Sequence, residues 1–189
     1  MVTHAVPVKG VDARGESYRI VEAQGRYTDE YLAHLTRICS ETPYMLQSPQ
    51  DALPSTEQQF KLLERFRSWD NSLCLLVLRS GRPRYQRVVG SITLLGGRTI
   101  RTAHACTLGM GVDRWDWGQG IGSRLLDTAL DWVRQNRIMK RVSLKVFEGN
   151  KNALKLYESR GFKREGLLQR EVYLDGVSID LIPMGLDVS

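Results

Sequence analysis

An apolar run over residues 108–112 is followed closely by WGQGIGSRLL, residues 117–126. In it Gly118, Gly120 and Gly122 alternate, and a helical pattern begins at once. The order is strand, tight turn, helix. A strand ending in such a turn leaves several backbone N–H groups converging at a helix N-terminus, a site for an anion and most often a phosphate. Glycine is needed where a side chain would block close approach or where φ is positive. A dinucleotide fingerprint G-x-G-x-x-G would require glycine at the position held by Ser123, and no Gly-Lys pair exists to make a P-loop. Both nucleotide readings are therefore weak, and the turn suggests a phosphate-bearing cofactor; without a ligand it reads as a connector.

The chain has 189 residues, 42% hydrophobic and 25% charged, which suits one domain with a sizeable core. Net charge is +6, but the basic residues are scattered. The densest group, Arg79, Arg82, Arg84 and Arg87, reads as a solvated hairpin loop, and no basic-aromatic stripe supports a nucleic-acid partner. Cys39, Cys74 and Cys106 are far apart and lie in apolar segments, so buried free thiols are expected, with neither a disulfide framework nor a metal site. The N-terminus lacks the pattern of a signal peptide, and no apolar run approaches the roughly 18 residues of a membrane span. A reducing cytoplasm is the expected compartment.

Residues 1–15 are polar and patternless and read as a flexible arm ahead of a single domain over 16–189. A strand is expected over 18–23. A helix follows over 28–40, capped by Thr28 or Asp29, with Tyr31, Leu32, Leu35 and Ile38 on one face. Pro43 stops it. Ser55 opens a second helix with Gln58 in a capping-box position, burying Phe60, Leu63 and Phe66 or positions near them. Strands follow over 73–78, a continuous apolar run and hence central, 87–95 and 102–112. The helix over 121–136 is the clearest, with Ile121, Leu125, Leu126, Ala129, Leu130 and Val133 in one stripe. A strand over 142–146 precedes a helix capped by Asn150 and closed by Gly161 and Phe162 in a Schellman end. An extended segment over 162–174, a type I′ turn at Asp175-Gly176 and a strand over 177–186 complete an α+β domain around one mixed sheet.

With these residues in place, the chain resembles the GNAT superfamily of acyl-CoA-dependent N-acetyltransferases. That family's phosphate turn, [QR]-x-x-G-x-[GA], falls on residues 117–122, with Trp117 where Gln or Arg is usual. Its second signature, N-x-x-A-x-x-L-Y followed by G-F, falls on Asn150, Ala153, Leu156 and Tyr157, then Gly161 and Phe162. The resemblance implies one GNAT-like domain: a mixed, mostly antiparallel sheet of about seven strands flanked by about four helices. It implies acetyl-CoA as acyl donor, no metal, and direct attack of a primary amine in a ternary complex. Backbone at Trp117, Gly118, Gln119, Gly120, Ile121, Gly122 and Ser123 would cradle the pyrophosphate, and Met110, Gly111 and Val112 would pair with the pantetheine arm.

Tyr157, read from spacing alone, is a core tyrosine; the resemblance makes it the proton donor to the departing sulfur. Asn150 is a helix cap, a cofactor contact, or both, and Ser123 a ligand or a first-turn residue. The general base stays open among Glu41, His104, Asp180 and a water chain. Glu41, Tyr44, His104 and Asp180 are the candidates for the acceptor side, whose walls come from this chain or from a second copy in a homodimer. The acceptor is a small-molecule amine or a protein N-terminus. A non-catalytic acetyl-CoA sensor is the alternative function.

Overall fold

The computed structural model describes residues 7–80 and 86–188. Nine strands and four helices alternate along the described chain: β1 Val8–Val11, β2 Ser17–Glu22, α1 Thr28–Glu41, α2 Thr56–Ser68, β3 Leu73–Ser80, β4 Gln86–Gly96, β5 Ala105–Val112, α3 Ile121–Gln135, β6 Arg141–Phe147, α4 Lys151–Glu158, β7 Lys163–Arg164, β8 Leu168–Leu174 and β9 Val177–Asp187. They form one mixed sheet in the order β1-β2-β3-β4-β5-β6-β9-β7, with β8 on β9. Every pair is antiparallel except β5 with β6. The expected α+β class and flanking helices hold. The strand number rises from about seven because β1 joins the sheet and the segment after α4 divides into β7 and β8.

Strand periodicity accounts for both layers. In β3 every residue from Leu73 to Leu78 is buried. Leu73, Leu75 and Val77 meet the stripe of α3 on one face, while Cys74, Leu76 and Leu78 meet Tyr27, Tyr31, Leu63 and Phe66 on the other. The α3 stripe is buried as expected, and Trp132 joins it. Ser55 and Gln58 form the expected capping box, with bonds of 3.2 and 2.9 Å. The end of α4 is the expected Schellman motif: Phe162 N–H donates to Tyr157 O, Gly161 N–H donates to Glu158 O, and Gly161 has φ +89°. Asp175 and Gly176 both have positive φ, as a type I′ turn requires.

Several expectations are corrected. Residues 8–11 are no loose arm but an edge strand paired with β2; residues 1–6 lie outside the described residues. Neither Thr28 nor Asp29 caps α1. A 3-10 turn over Gly25–Tyr27 runs straight into the helix, so Thr28 is already helical and its hydroxyl donates to Gly25 O at 2.6 Å. Phe60 is 48% exposed, since its ring lies over the backbone of Gly25 while Gln59 takes the inward position. β5 starts at Ala105 because residues 100–104 form turns closed by Ala103 N–H to Thr99 O and Ala105 N–H to Thr102 O. Arg79 and Arg87 are no solvated cluster: they pair with Asp12 and Asp116, and with Asp113, respectively. Arg82 and Arg84 lie outside the described residues.

Candidate active site

The sheet opens at its one parallel pair. β5 and β6 are in register only at Ala105–Arg141, Cys106–Val142 and Thr107–Ser143, yet β5 runs on to Val112 and β6 to Phe147. Beyond Thr107 the two strands separate, and the edge of β5 that faces β6 is left without a strand partner. α3 begins just past the open end of β5. Gly118 and Gly120 have φ of +72° and +80°, and Gly120 is the helix N-cap. A Cβ at either would meet nothing within 4 Å, so the turn opens onto free space. The first backbone bond of α3 runs from Arg124 N–H to Gly120 O. Among the described residues, no protein acceptor stands against the amides of residues 118–123. Six unpartnered amide donors at a helix N-terminus with two left-handed glycines make a candidate anion site. A diphosphate suits it, since the amides lack protein partners and Gly118 and Gly120 put no side chain in the way.

Two helices close on this turn. At Gly122 a Cβ would come within 3.8–4.0 Å of Val112, Met110 and Leu156, so α4 is set beside the start of α3. Asn150 caps α4, its Oδ1 accepting from Ala153 N–H at 3.1 Å. Tyr157, the penultimate residue of α4, is 6% exposed, with its ring edge-on to Phe162 at 5.5 Å. Burial raises its phenol well above the ordinary tyrosine value, so the proton stays on at neutral pH. Its hydroxyl has no protein hydrogen-bond partner among the described residues. From the other face, α1 comes so close to β5 that a Cβ on Gly111 would stand 2.7 Å from Ile38 Cδ1.

The acetyltransferase (GNAT) family matches residues 42–162. The chain belongs to the GNAT family.

Among its relatives is the L-amino acid N-acetyltransferase AaaT of Escherichia coli, 32% identical over 98 residues that make up 49% of this chain and 57% of AaaT. The chain thus spans little more than half the length of that relative. A GNAT acetyltransferase structure from Streptococcus pneumoniae superposes with a TM-score of 0.85 at 28% identity, over 91% of this chain and 99% of that one. The structure of YncA from Salmonella typhimurium with its cofactor acetyl-CoA superposes at 0.77, with 17% identity over 91% and 94% of the two chains, and shares the fold.

Within this GNAT frame the acceptor-side candidates separate. Glu41, the last residue of α1, accepts from Arg114 N–H at 2.7 Å and so stands at the open end of β5. Tyr44 reaches the far side of the gap: its hydroxyl donates to Gly149 O at 3.3 Å and its ring meets Phe147 at 6.0 Å. The segment from Glu41 to Tyr44 therefore bridges the mouth between β5 and β6. Asp180 lies beside the end of β6, where its carbonyl accepts from Glu148 N–H. One oxygen of its carboxylate accepts from Arg170 N–H at 2.8 Å and holds a bulge in β8 where Arg170 has φ +55°. His104 is not brought to the gap. It is exposed in the turn before β5, at the opposite end of that strand from the cradle, because its carbonyl anchors Lys140 and Arg141.

Sequence reasoning missed a fully buried polar pair near the site, His34 with Asp113. His34 is 0% exposed; its Nδ1 is 2.6 Å from Asp113 Oδ1 and its Nε2 3.1 Å from Ser91 Oγ. Asp113, the residue after β5, also accepts from Arg37 at 2.8 Å and Arg87 at 2.7 Å. Burial opposes its charge, but His34, Arg87 and Arg37 outweigh that and hold the carboxyl down at about 2. The only local signal was a histidine three residues after Tyr31 and four before Ile38, on the buried face of α1. Among the described residues, no group of three or more His, Cys, Asp or Glu is placed to hold a metal ion. No helix there is long and apolar enough to cross a membrane.

Proposed function

We propose that this chain is an acyl-CoA-dependent N-acetyltransferase acting on the primary amine of a small molecule of the amino-acid type. The observation that carries the reading is the set of unpartnered amides over residues 118–123 at the open end of the β5–β6 gap. The acceptor class draws support from AaaT, whose name specifies L-amino acids. When bound, acetyl-CoA supplies an activated acetyl thioester.

The residues divide the remaining work. Backbone from Trp117 through Gly118, Gln119, Gly120, Ile121, Gly122 and Ser123 holds the diphosphate, aided by the positive end of α3. Backbone at Met110 and Val112 pairs with the extended arm as a strand would, and Gly111 lets α1 press the strand into place. Asn150 keeps its side-chain NH2 for the ligand, since its oxygen caps α4 toward Ala153. Glu41 holds the incoming amine and accepts its proton through the oxygen not committed to Arg114, while Tyr44 forms the opposite wall. As the new C–N bond forms and the C–S bond breaks, the Tyr157 hydroxyl gives its proton to the sulfur. Burial keeps the Tyr157 phenol protonated at neutral pH, so a proton is on hand for the sulfur.

The test combines calorimetric binding of coenzyme A with thiol release from acetyl-CoA over a panel of L-amino acids, polyamines and peptide N-termini. The expected result is binding together with thiol release that depends on an amino acid. Failure to bind coenzyme A would overturn the reading. Binding without turnover on any amine would make the chain a sensor instead.

A further inference from the structure

Trp117 joins the two halves of the site through one hydrogen bond. Its indole Nε1–H donates to the carbonyl of Val112, five residues back, at 2.7 Å. The direction of that carbonyl follows from the sheet. Asp113 N–H donates to Val89 O, so odd-numbered residues of this stretch turn their backbone groups toward β4. Arg141 N–H donates to His104 O, and Ser143 Oγ to Cys106 O, so even-numbered residues turn theirs toward β6. The register with β4 is unbroken from Cys106 to Val112, and the alternation carries through. Met110 and Val112 therefore present N–H and C=O to the side from which β6 has departed. Of the four groups they offer an extended ligand, the indole of Trp117 already occupies one.

We propose that Trp117 is a positioning residue that sets the register of the pantetheine arm. It closes the ladder at Val112, so the arm pairs with Met110 N–H, Met110 C=O and Val112 N–H and cannot slide one step further. The inference rests on the proposed function. A strand edge repeats its donors and acceptors every two residues, roughly 6.5 Å apart, so an unblocked edge accepts a slipped chain almost as well as the correct one. A slip of that size would carry the thioester away from Tyr157 and Glu41 while leaving the diphosphate cradle intact. The Trp117 ring is 44% exposed, so burial of the ring alone does not account for its fixed place.

Two variants separate the hydrogen bond from the ring. Trp117→Phe keeps an aromatic ring and removes the donor. Trp117→Gln removes the ring and keeps an N–H donor the same number of bonds beyond Cβ. In the wild type, the Trp117 indole N–H is expected to exchange with solvent more slowly than that of Trp115, which is 80% exposed, and to stay protected when coenzyme A is added. Trp117→Phe is expected to bind coenzyme A within about threefold of wild type and to lose about tenfold to a hundredfold in kcat, with Trp117→Gln recovering most of the loss. The proposal is overturned if coenzyme A releases the indole N–H, or if Trp117→Phe turns over like wild type. It is equally overturned if both variants fall together, or if affinity falls in step with kcat, since either result makes Trp117 a support for the cradle. A wild-type protein that binds no coenzyme A removes the proposed function itself, which the calorimetric control shows separately.

Discussion

Tyr157 shows how one side chain serves two ends. Its ring belongs to the core beneath α3 and α4, which is what helical spacing with Ala153 and Leu156 implies. Its hydroxyl finds no protein partner among the described residues, yet it is not one of the buried polar atoms left unsatisfied there, so the oxygen itself stays reachable. A core tyrosine kept only for packing would do as well as phenylalanine. Tyr157→Phe is accordingly expected to leave thermal stability and coenzyme A affinity nearly unchanged and to lower kcat by about a hundredfold or more, the usual contribution of a positioned proton donor. Unchanged turnover across the pH range would remove Tyr157 from the mechanism. His34 is the opposite case, a residue whose importance the sequence hid. It sits at the right spacing on α1 to be buried, but its partner Asp113 is 79 residues away, beyond any local pattern.

At the scale of elements, the glycine turn was legible because its chemistry is local. Alternating glycines before an amphipathic run already specify converging amides, and the positive φ of Gly118 and Gly120 supplies the reason for glycine. Gly120→Val tests both halves of that statement. No side chain stands within 4 Å of the Cβ position, so the variant meets no clash. The cost is conformational, about 1–2 kcal/mol for a β-branched residue held left-handed. It should appear as a lower Tm together with coenzyme A affinity weakened about tenfold or more, because the new side chain covers the amides. Equal affinity by calorimetry would count against the cradle. The β5–β6 gap, in contrast, left no mark in the strand patterns. Both strands read as ordinary apolar runs, and nothing in either says where pairing stops.

Across the whole molecule, buried ion pairs tie the site to distant parts of the chain. Asp12 and Asp116, both buried, share Arg79 of β3, and Arg14 reaches from the β1–β2 loop to Asp116 and to the carbonyl of Trp115. The stretch over residues 113–117 is thereby held from α1, β3, β4 and the first hairpin before it delivers the chain to the cradle. Asp113 lets this be measured. Its carboxyl titrates lower in the folded state than in the unfolded one, so its stabilisation is fully present above the unfolded value and is lost as pH falls through about 2. The Tm gap between wild type and Asp113→Asn should therefore be wide at neutral pH and narrow as pH drops from about 4 toward 2. A gap that stays constant over that range would show that the charge of Asp113 does not matter. The sequence by itself determined the helices, most strands, the capping box, the Schellman end, the glycine turn and the Asp175-Gly176 turn, because each depends on residues within a few positions of one another. Only the tertiary structure decided where β5 and β6 part, that His104 lies at the far end of its strand from the glycine turn, that one oxygen of Asp180 holds a bulge, and that His34 closes on partners from other elements. Those outcomes depend on which segments meet in space, and a pattern read along one chain carries no term for that.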